Sequence, residues 1–292
     1  MNLSINPSYF CNFSCDFCYL TKGQLKDQGK ISPNKLDSLL SQVGNIDYVD
    51  LYGGEIGALS KGYYLEIKEV IRRYYQGEIN IITNFSMLNE EFFAEDVYLT
   101  VSYDFGARER HDEVFQNMLM SQSSFAILIL ATPEVVKMDV DAMIMQLNIL
   151  MNLDSVEIKP YSTNQANSYD VTHHEYEEFI KKWIDSPIKK NYRFGNQEYI
   201  ERSLSGKYNA YSDDHIYITP NGKFGVLEFD KDDKEYFLEL ESFDEYILWT
   251  KKEKESLSEI CRNCEYVGRC LTEHYRYVDN LKNGCAKTIK DH

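Results

Sequence analysis

The stretch Asn2-Leu3-Ser4-Ile5-Asn6, followed after a short linker by Cys11-Asn12-Phe13-Ser14-Cys15-Asp16-Phe17-Cys18, decides how this chain is read. Its first part reads as a short strand. Its second part carries three cysteines spaced C-x3-C-x2-C, on what must then be the loop after the first strand. Three thiolates within eight residues can converge on one soft metal centre, and thiolates favour zinc or an iron–sulfur cluster. Three protein ligands also leave a coordination position open, which points to chemistry or substrate binding and not to structure alone.

Outward from that loop, short β-type runs alternate with amphipathic stretches. Strands are expected at Asn2–Asn6, Tyr48–Tyr52, Glu78–Thr83, Val97–Tyr103, Phe125–Ala131 and Ser155–Tyr161, several of them apolar on both faces as buried parallel strands are. Helices are expected at Pro33–Val43, with Ser32 as N-cap, and at Lys61–Tyr75, Arg108–Ser121 and Asp139–Leu150. Such a series calls for an α/β fold with a parallel sheet and right-handed crossovers. Pattern alone leaves open sheet and barrel undecided.

Beyond residue 161 the character changes. Thr172-His173-His174-Glu175 reads as a capping box opening a helix to about Ile184. Ile216–Thr219 and Lys223–Phe229 flank Pro220-Asn221-Gly222 as a β-hairpin would. A second capping box, Ser256-Leu257-Ser258-Glu259, leads into Cys261, Cys264, Cys270 and Cys285. Four thiolates close a site, as in structural zinc or an electron-transfer cluster. A domain boundary is drawn at 185/186, giving an N-terminal unit of residues 1–185 and a C-terminal unit of residues 186–292.

Composition sets the limits. The chain has 292 residues, 31 basic and 47 acidic side chains, and a formal net charge of −16. That balance argues against binding the nucleic-acid backbone or an anionic membrane surface. The longest apolar run, Phe125 to Ala131, is far short of the roughly 20 residues of a membrane span. The N-terminus lacks the pattern of a signal peptide, so a cytoplasmic location with reduced thiols is expected. Seven cysteines, an odd number, cannot form a complete disulfide framework.

Two further strand ends carry polar residues. Tyr52-Gly53-Gly54-Glu55 closes the second strand, where glycines permit close backbone approach and a carboxylate can take an ammonium group. Thr83-Asn84-Phe85 ends the third strand and Ser102-Tyr103-Asp104 the fourth.

With its aromatic Phe17 before the last cysteine, the first cluster resembles the signature of the radical S-adenosylmethionine (SAM) superfamily. The resemblance covers residues 1 to about 161 and implies a partial (β/α)6 barrel with its site at the C-terminal ends of the strands. It implies that Cys11, Cys15 and Cys18 hold a [4Fe–4S] cluster whose fourth iron is chelated by SAM. Gly53, Gly54 and Glu55 match the family's GGE motif, which takes the SAM amino group; Ile56 stands where relatives usually have proline. Phe17, Asn84, Ser102 and Asp104 are the other cofactor-binding candidates. The C-terminal part is similar to the SPASM extension of peptide-modifying members, in a reduced form. Cys261, Cys264, Cys270 and Cys285 would hold one auxiliary [4Fe–4S] cluster, while Val226, Leu227 and His274 stand where further cysteines would be expected.

The resemblance implies reductive cleavage of SAM to a 5′-deoxyadenosyl radical. Three plus four uses all seven cysteines, so a thiol hydrogen donor, and with it an epimerase, is disfavoured. The favoured reading is oxidative modification, by cross-linking or oxidation, of a residue of a ribosomally made peptide. A reducing partner such as flavodoxin or ferredoxin is implied. Ten residues precede Cys11, so recognition of a leader is expected to fall to the barrel or to a separate leader-binding protein. The rival readings are a radical SAM dehydrogenase or other enzyme acting on a small molecule, and a zinc-stabilised binding module that is no enzyme.

Overall fold

The computed structural model describes residues 1–161, 166–205, 215–227 and 237–255. The elements run β1 (Asn2–Ile5), α1 (Pro33–Leu40), β2 (Tyr48–Leu51), α2 (Lys61–Arg72), β3 (Ile79–Thr83), β4 (Val97–Ser102), α3 (His111–Met120), β5 (Phe125–Ala131), α4 (Val140–Leu147), β6 (Leu153–Pro160), α5 (His173–Asp185), β7 (Arg193–Phe194), α6 (Gly195–Leu204), β8 (His215–Ile218), β9 (Phe224–Leu227), β10 (Phe237–Leu240) and α7 (Phe243–Glu255). All six expected strands are present. Four end one residue early, although the N–H groups of Asn6, Tyr52 and Tyr103 still bond to the neighbouring strand.

Local chemistry explains the helix ends. Ser32 accepts a hydrogen bond from the Lys35 N–H and Pro33 occupies the first turn, as expected for α1. The capping box at Thr172 and Glu175 is formed in both directions. The helices stop short of their expected C-termini because the last turn tightens: Gln42 and Val43 bond to the carbonyls three residues back, and so do Arg73 and Tyr74. At its start α3 loses a turn. Arg110, at φ 51, breaks the helical path, so the helix begins at His111 and not at Arg108.

Among the described residues the strands form one sheet in the order β10-β9-β8-β1-β2-β3-β4-β5-β6-β7. Strands β8 and β1 through β7 pair in parallel. The expected hairpin forms β8 and β9, and β8 pairs with β1 from Asn2↔His215 to Ile5↔Ile218, so the hairpin extends the same sheet. Gly222, at φ 73, makes its turn.

Most of the parallel strands are apolar on one face only. Leu3, Ile5, Val49, Leu51, Ile79, Ile81, Leu99, Val101, Ile127 and Ile129 are buried and join helix residues such as Leu36, Ile67, Val114 and Ile144 in one core. The alternate residues are Ser4, Asp50, Asn80, Thr100, Ser155, Glu157 and Lys159, and they point the other way. Thr100 donates to Asn80 at 2.8 Å, and Asn80 to the Tyr48 hydroxyl at 2.7 Å. Strand β5, by contrast, keeps apolar residues on both faces along its whole length, with Ala126, Leu128 and Leu130 half-buried.

This polar face is concave. Lys159 on β6 acts electrostatically on Asp50 of β2, and Glu157 on Tyr48. Strands four positions apart in a flat sheet would stand roughly 19 Å apart, so the sheet must curl until β6 faces β2. The result is a partial barrel, open between its edge strands, with helices outside and a polar chamber within.

Candidate functional site

The cysteine loop lies across the C-terminal ends of the strands and is held from several sides. Cys15 is buried and Cys11 and Cys18 partly so; none is in a disulfide. The Cys11 N–H bonds to the Leu25 carbonyl at 3.0 Å, and the Phe13 N–H donates to the Cys11 Sγ at 3.4 Å. On the β6 side, the Tyr161 hydroxyl donates to the Phe17 carbonyl at 3.2 Å and the Asn167 amide to the Cys18 carbonyl at 3.1 Å. On the β3 side, Asn84 donates to Asn12 at 2.9 Å and its Nδ2 lies 3.9 Å from the Cys11 Sγ, while Asn12 donates to the Ser86 hydroxyl at 2.9 Å. Phe13 and Phe17 are buried beneath the loop, with Arg110 and Arg108 stacked over their rings at 5.5 and 5.3 Å.

Burial, above all, pushes the Cys11 thiol up to about 12, and Glu55 and the other two cysteines push the same way. The Cys15 and Cys18 thiols are raised by burial as well, against the opposing pull of Arg108. Free thiols in such surroundings keep their protons, and a metal centre must displace them. Among the described residues no three His, Cys, Asp or Glu side chains gather as ligands of a single ion. Thiolates around one tetrahedral zinc would stand roughly 3.8 Å apart, whereas those of a four-iron cluster each take a separate iron and spread more widely. Three thiols on one loop, one buried and two partly so, supply the soft donors that either centre takes.

Glu55 is buried and its carboxylate joins two strand ends. Oε1 accepts from the Gly57 N–H at 2.7 Å and the Thr83 hydroxyl at 2.5 Å, and Oε2 accepts from the Asn84 N–H at 2.7 Å. A carboxylate offers about four acceptor sites; three are filled, which leaves one for an ammonium group. Burial raises the Glu55 carboxyl above the usual range, and these three donors oppose it.

The two glycines before Glu55 face the protein itself. A Cβ on Gly54 would sit 2.1 Å from the Phe10 carbonyl oxygen, and one on Gly53 2.8 Å from that of Ser8; Gly53 also has φ 143. Hydrogen bonds Gly54 N–H to Ser8 and Glu55 N–H to Phe10 seal the approach. The glycines thus seat the segment that leads into Cys11. Gly54→Ala should therefore cost roughly 3 kcal/mol, the upper range for an overpacked site. A drop in melting temperature of about 5–10 °C is expected, with Gly62→Ala, where a Cβ meets open space, unchanged or slightly stabilised.

Ser102 ends β4 half-buried. Asp104 is fully buried and both its oxygens are engaged within the protein. Oδ1 accepts from the Leu130 N–H at 2.6 Å, and Oδ2 from the Arg108 guanidinium at 2.5 and 2.7 Å. Its reach toward the cysteine loop is therefore through Arg108. Burial pulls the Arg108 guanidinium down, but Asp104 and the thiols of Cys15 and Cys18 outweigh it and hold the group above its ordinary value. Arg108 was not among the expected site residues, nor were Asn12, Ser86, Tyr161 and Asn167. The Asp104-x3-Arg108 spacing was the only sequence signal, and it is common on any helix.

The structure brings Cys11, Cys15, Cys18, Phe17, Gly53, Gly54, Glu55, Asn84 and Asp104 to one end of the sheet. Cys261, Cys264, Cys270, Cys285, His274 and the capping box at Ser256 lie outside the described residues.

No protein-family model matches the chain, and no curated protein does. Solved structures do. Native anSMEcpe with bound AdoMet superposes with a TM-score of 0.68 at 15% identity, over 92% of this chain and 88% of that one. Native anSMEcpe with bound AdoMet and Cp18Cys peptide gives 0.64 at 17% identity, over 93% and 88%. Streptococcus suis SuiB bound to precursor peptide SuiA gives 0.64 at 15% identity, over 97% and 73%. At such identities the likeness is one of fold: the chain shares the fold of these proteins, with its barrel left open.

Proposed function

We propose that this chain is a radical SAM enzyme that oxidatively modifies a residue of a ribosomally made peptide, by cross-linking or oxidation. The observation that carries the reading is the junction of the β1 and β2 ends. Three thiols, one buried and two partly so, occupy one loop there, and Glu55, with one acceptor site still open, stands against it. The fold neighbours with bound AdoMet and peptides support the same reading.

In this reading Cys11, Cys15 and Cys18 hold the [4Fe–4S] cluster, and Glu55 takes the SAM ammonium group on its remaining acceptor site. Cys261, Cys264, Cys270 and Cys285 hold one auxiliary cluster. When bound, these groups would supply the 5′-deoxyadenosyl radical that takes one substrate hydrogen, and an acceptor for the electron that leaves as the substrate loses a proton. The chain's own part is to position a C–H bond and keep water away. Phe13 and Phe17 pack under the loop, and the strap formed by Tyr161 and Asn167 fixes its far end. A flavodoxin or ferredoxin would deliver the reducing electron. No described helix is long and apolar enough to cross a membrane.

Anaerobically purified, reconstituted protein should hold about eight irons and convert SAM to 5′-deoxyadenosine under reduction. Co-expressed with peptides encoded beside it, it should remove two hydrogens from one of them by mass. A colourless zinc protein ends the radical SAM reading; SAM cleavage with every peptide unchanged ends the peptide reading and favours a small-molecule substrate.

A further inference from the structure

Two side chains of the chamber wall are built for a partner that the described residues do not supply. Asn6 is fully buried, yet neither its amide oxygen nor its amide nitrogen has a hydrogen-bond partner among the described residues. Asp50 is 5% exposed, and its Oδ1 is likewise without a partner among them. An interior polar atom left this way costs about 1–3 kcal/mol, so three on neighbouring strands call for an occupant.

The three atoms share one face. The register pairs Ser4 with Asp50 and Ile5 with Leu51. Asn6, two residues past Ser4, therefore points into the chamber beside Asp50. Its amide oxygen lies 3.0 Å from where a Gly53 Cβ would stand, which puts Asn6 directly below the glycine–glycine–glutamate turn. Asp50 is three residues before Gly53, about 10 Å down the strand. A group bound between them would lie under the place where SAM is proposed to bind. The other unpartnered buried groups, Tyr64, Trp183 and Tyr192, belong to the helical layer or its connections.

The donor set defines the ligand. A primary amide with both ends open complements another amide, donor to acceptor and acceptor to donor. The open carboxylate oxygen takes a donor, best a cationic one. Ser4 on β1 and Lys159 on β6 are the groups that act on Asp50, and Lys159 is ion-paired with Glu157 at 2.6 Å. Burial pushes the Asp50 carboxyl up to about 7 against the pull of Ser4 and Lys159.

We propose that Asn6 and Asp50 form a substrate subsite in the barrel wall, where Asn6 binds a backbone amide of the peptide and Asp50 a protonated side-chain nitrogen of the same residue. The proposal rests on the peptide reading above and narrows it to substrates with a basic residue held beneath the cofactor.

The test uses the full reconstituted chain and two probes, N-acetyl-lysine N-methylamide and its norleucine analogue, titrated by calorimetry. Wild type should bind the lysine probe about tenfold tighter, roughly 1.4 kcal/mol. Asp50→Asn should erase that preference while still binding the norleucine probe, which also reports that it is folded. Asn6→Ala should weaken both probes alike. If Asp50→Asn does not fold, the wild type alone decides: binding the lysine probe at pH 7 should release roughly half a proton to buffer, as the cation holds Asp50 ionised. Failure of wild type to prefer lysine, survival of the preference in Asp50→Asn, or release of no proton each overturns the subsite. Probe binding needs no SAM cleavage, so such a failure leaves the radical SAM reading standing, and a protein without iron that still prefers lysine does the reverse.

Discussion

Replacing Cys15 by alanine should lower bound iron by about four atoms per chain and reduce 5′-deoxyadenosine formation to background. Of the three thiols Cys15 has the most completely buried residue, and Arg108 acts directly on its charge. With one thiolate gone, two remain to hold a cluster that needs three from the protein, and no other cysteine among the described residues can take its place. Burial raises all three thiols, so their deprotonation must be driven by the metal, and losing one bond weakens the drive on the other two. Cys15→Ser keeps the size but offers a harder ligand and should lose nearly as much. Metal analysis, the visible spectrum and a SAM-cleavage assay on matched preparations read the effect. Unchanged iron in Cys15→Ala would remove the cluster from this loop.

Why the loop was legible, and its supports were not, follows from where each signal resides. The three cysteines and Phe17 are contiguous in sequence, so spacing alone reveals them. The strand–helix alternation was equally local: Ser32 with Pro33, and Thr172 with Glu175, announce helix starts by residue type. The polar face was written in the chain as well, in Leu3-Ser4-Ile5 and Val49-Asp50-Leu51. Strands of four residues are too short for alternation to stand out from a generally apolar run, and their inner side was read as core. Long-range partners left no trace at all. Asn84 meets Asn12 across 72 positions and Asn167 meets the Cys18 carbonyl across 149; only the curl of the sheet brings them together. Gly53 and Gly54 are the instructive case. Their lack of a side chain signalled a close approach, and the approach is real, but its object is the backbone of Ser8 to Phe10. The site is formed by protein packed on protein before any cofactor enters.

That dependence makes Asp104→Ala the most damaging single change expected away from the cysteines. Asp104 has no exposed surface and Arg108 only 14%, so removing the carboxylate leaves a guanidinium buried without its counter-charge. Breaking a buried pair in this way costs about 3–5 kcal/mol, and the Leu130 N–H, bound at 2.6 Å, loses its acceptor too. A fall in melting temperature of roughly 8–16 °C is expected for a chain of this size. Arg108→Met alone leaves a buried carboxylate that can protonate and keep its bond to Leu130, and should cost less. The double variant Asp104→Leu with Arg108→Met replaces both charges by apolar groups of similar volume and should recover much of the loss, because a buried pair seldom adds more than it takes to desolvate it. Urea melts of wild type, Asp104→Leu, Arg108→Met and the double variant close the cycle and give the coupling directly. Were Asp104→Ala to melt with wild type, the pair would not be what seats the turn after β4. The double variant separates stability from chemistry: it should fold, yet without the Arg108 charge beside Cys15 and Cys18 it should load iron more slowly at neutral pH. An apolar pair can hold the turn, but it cannot help the thiols give up their protons.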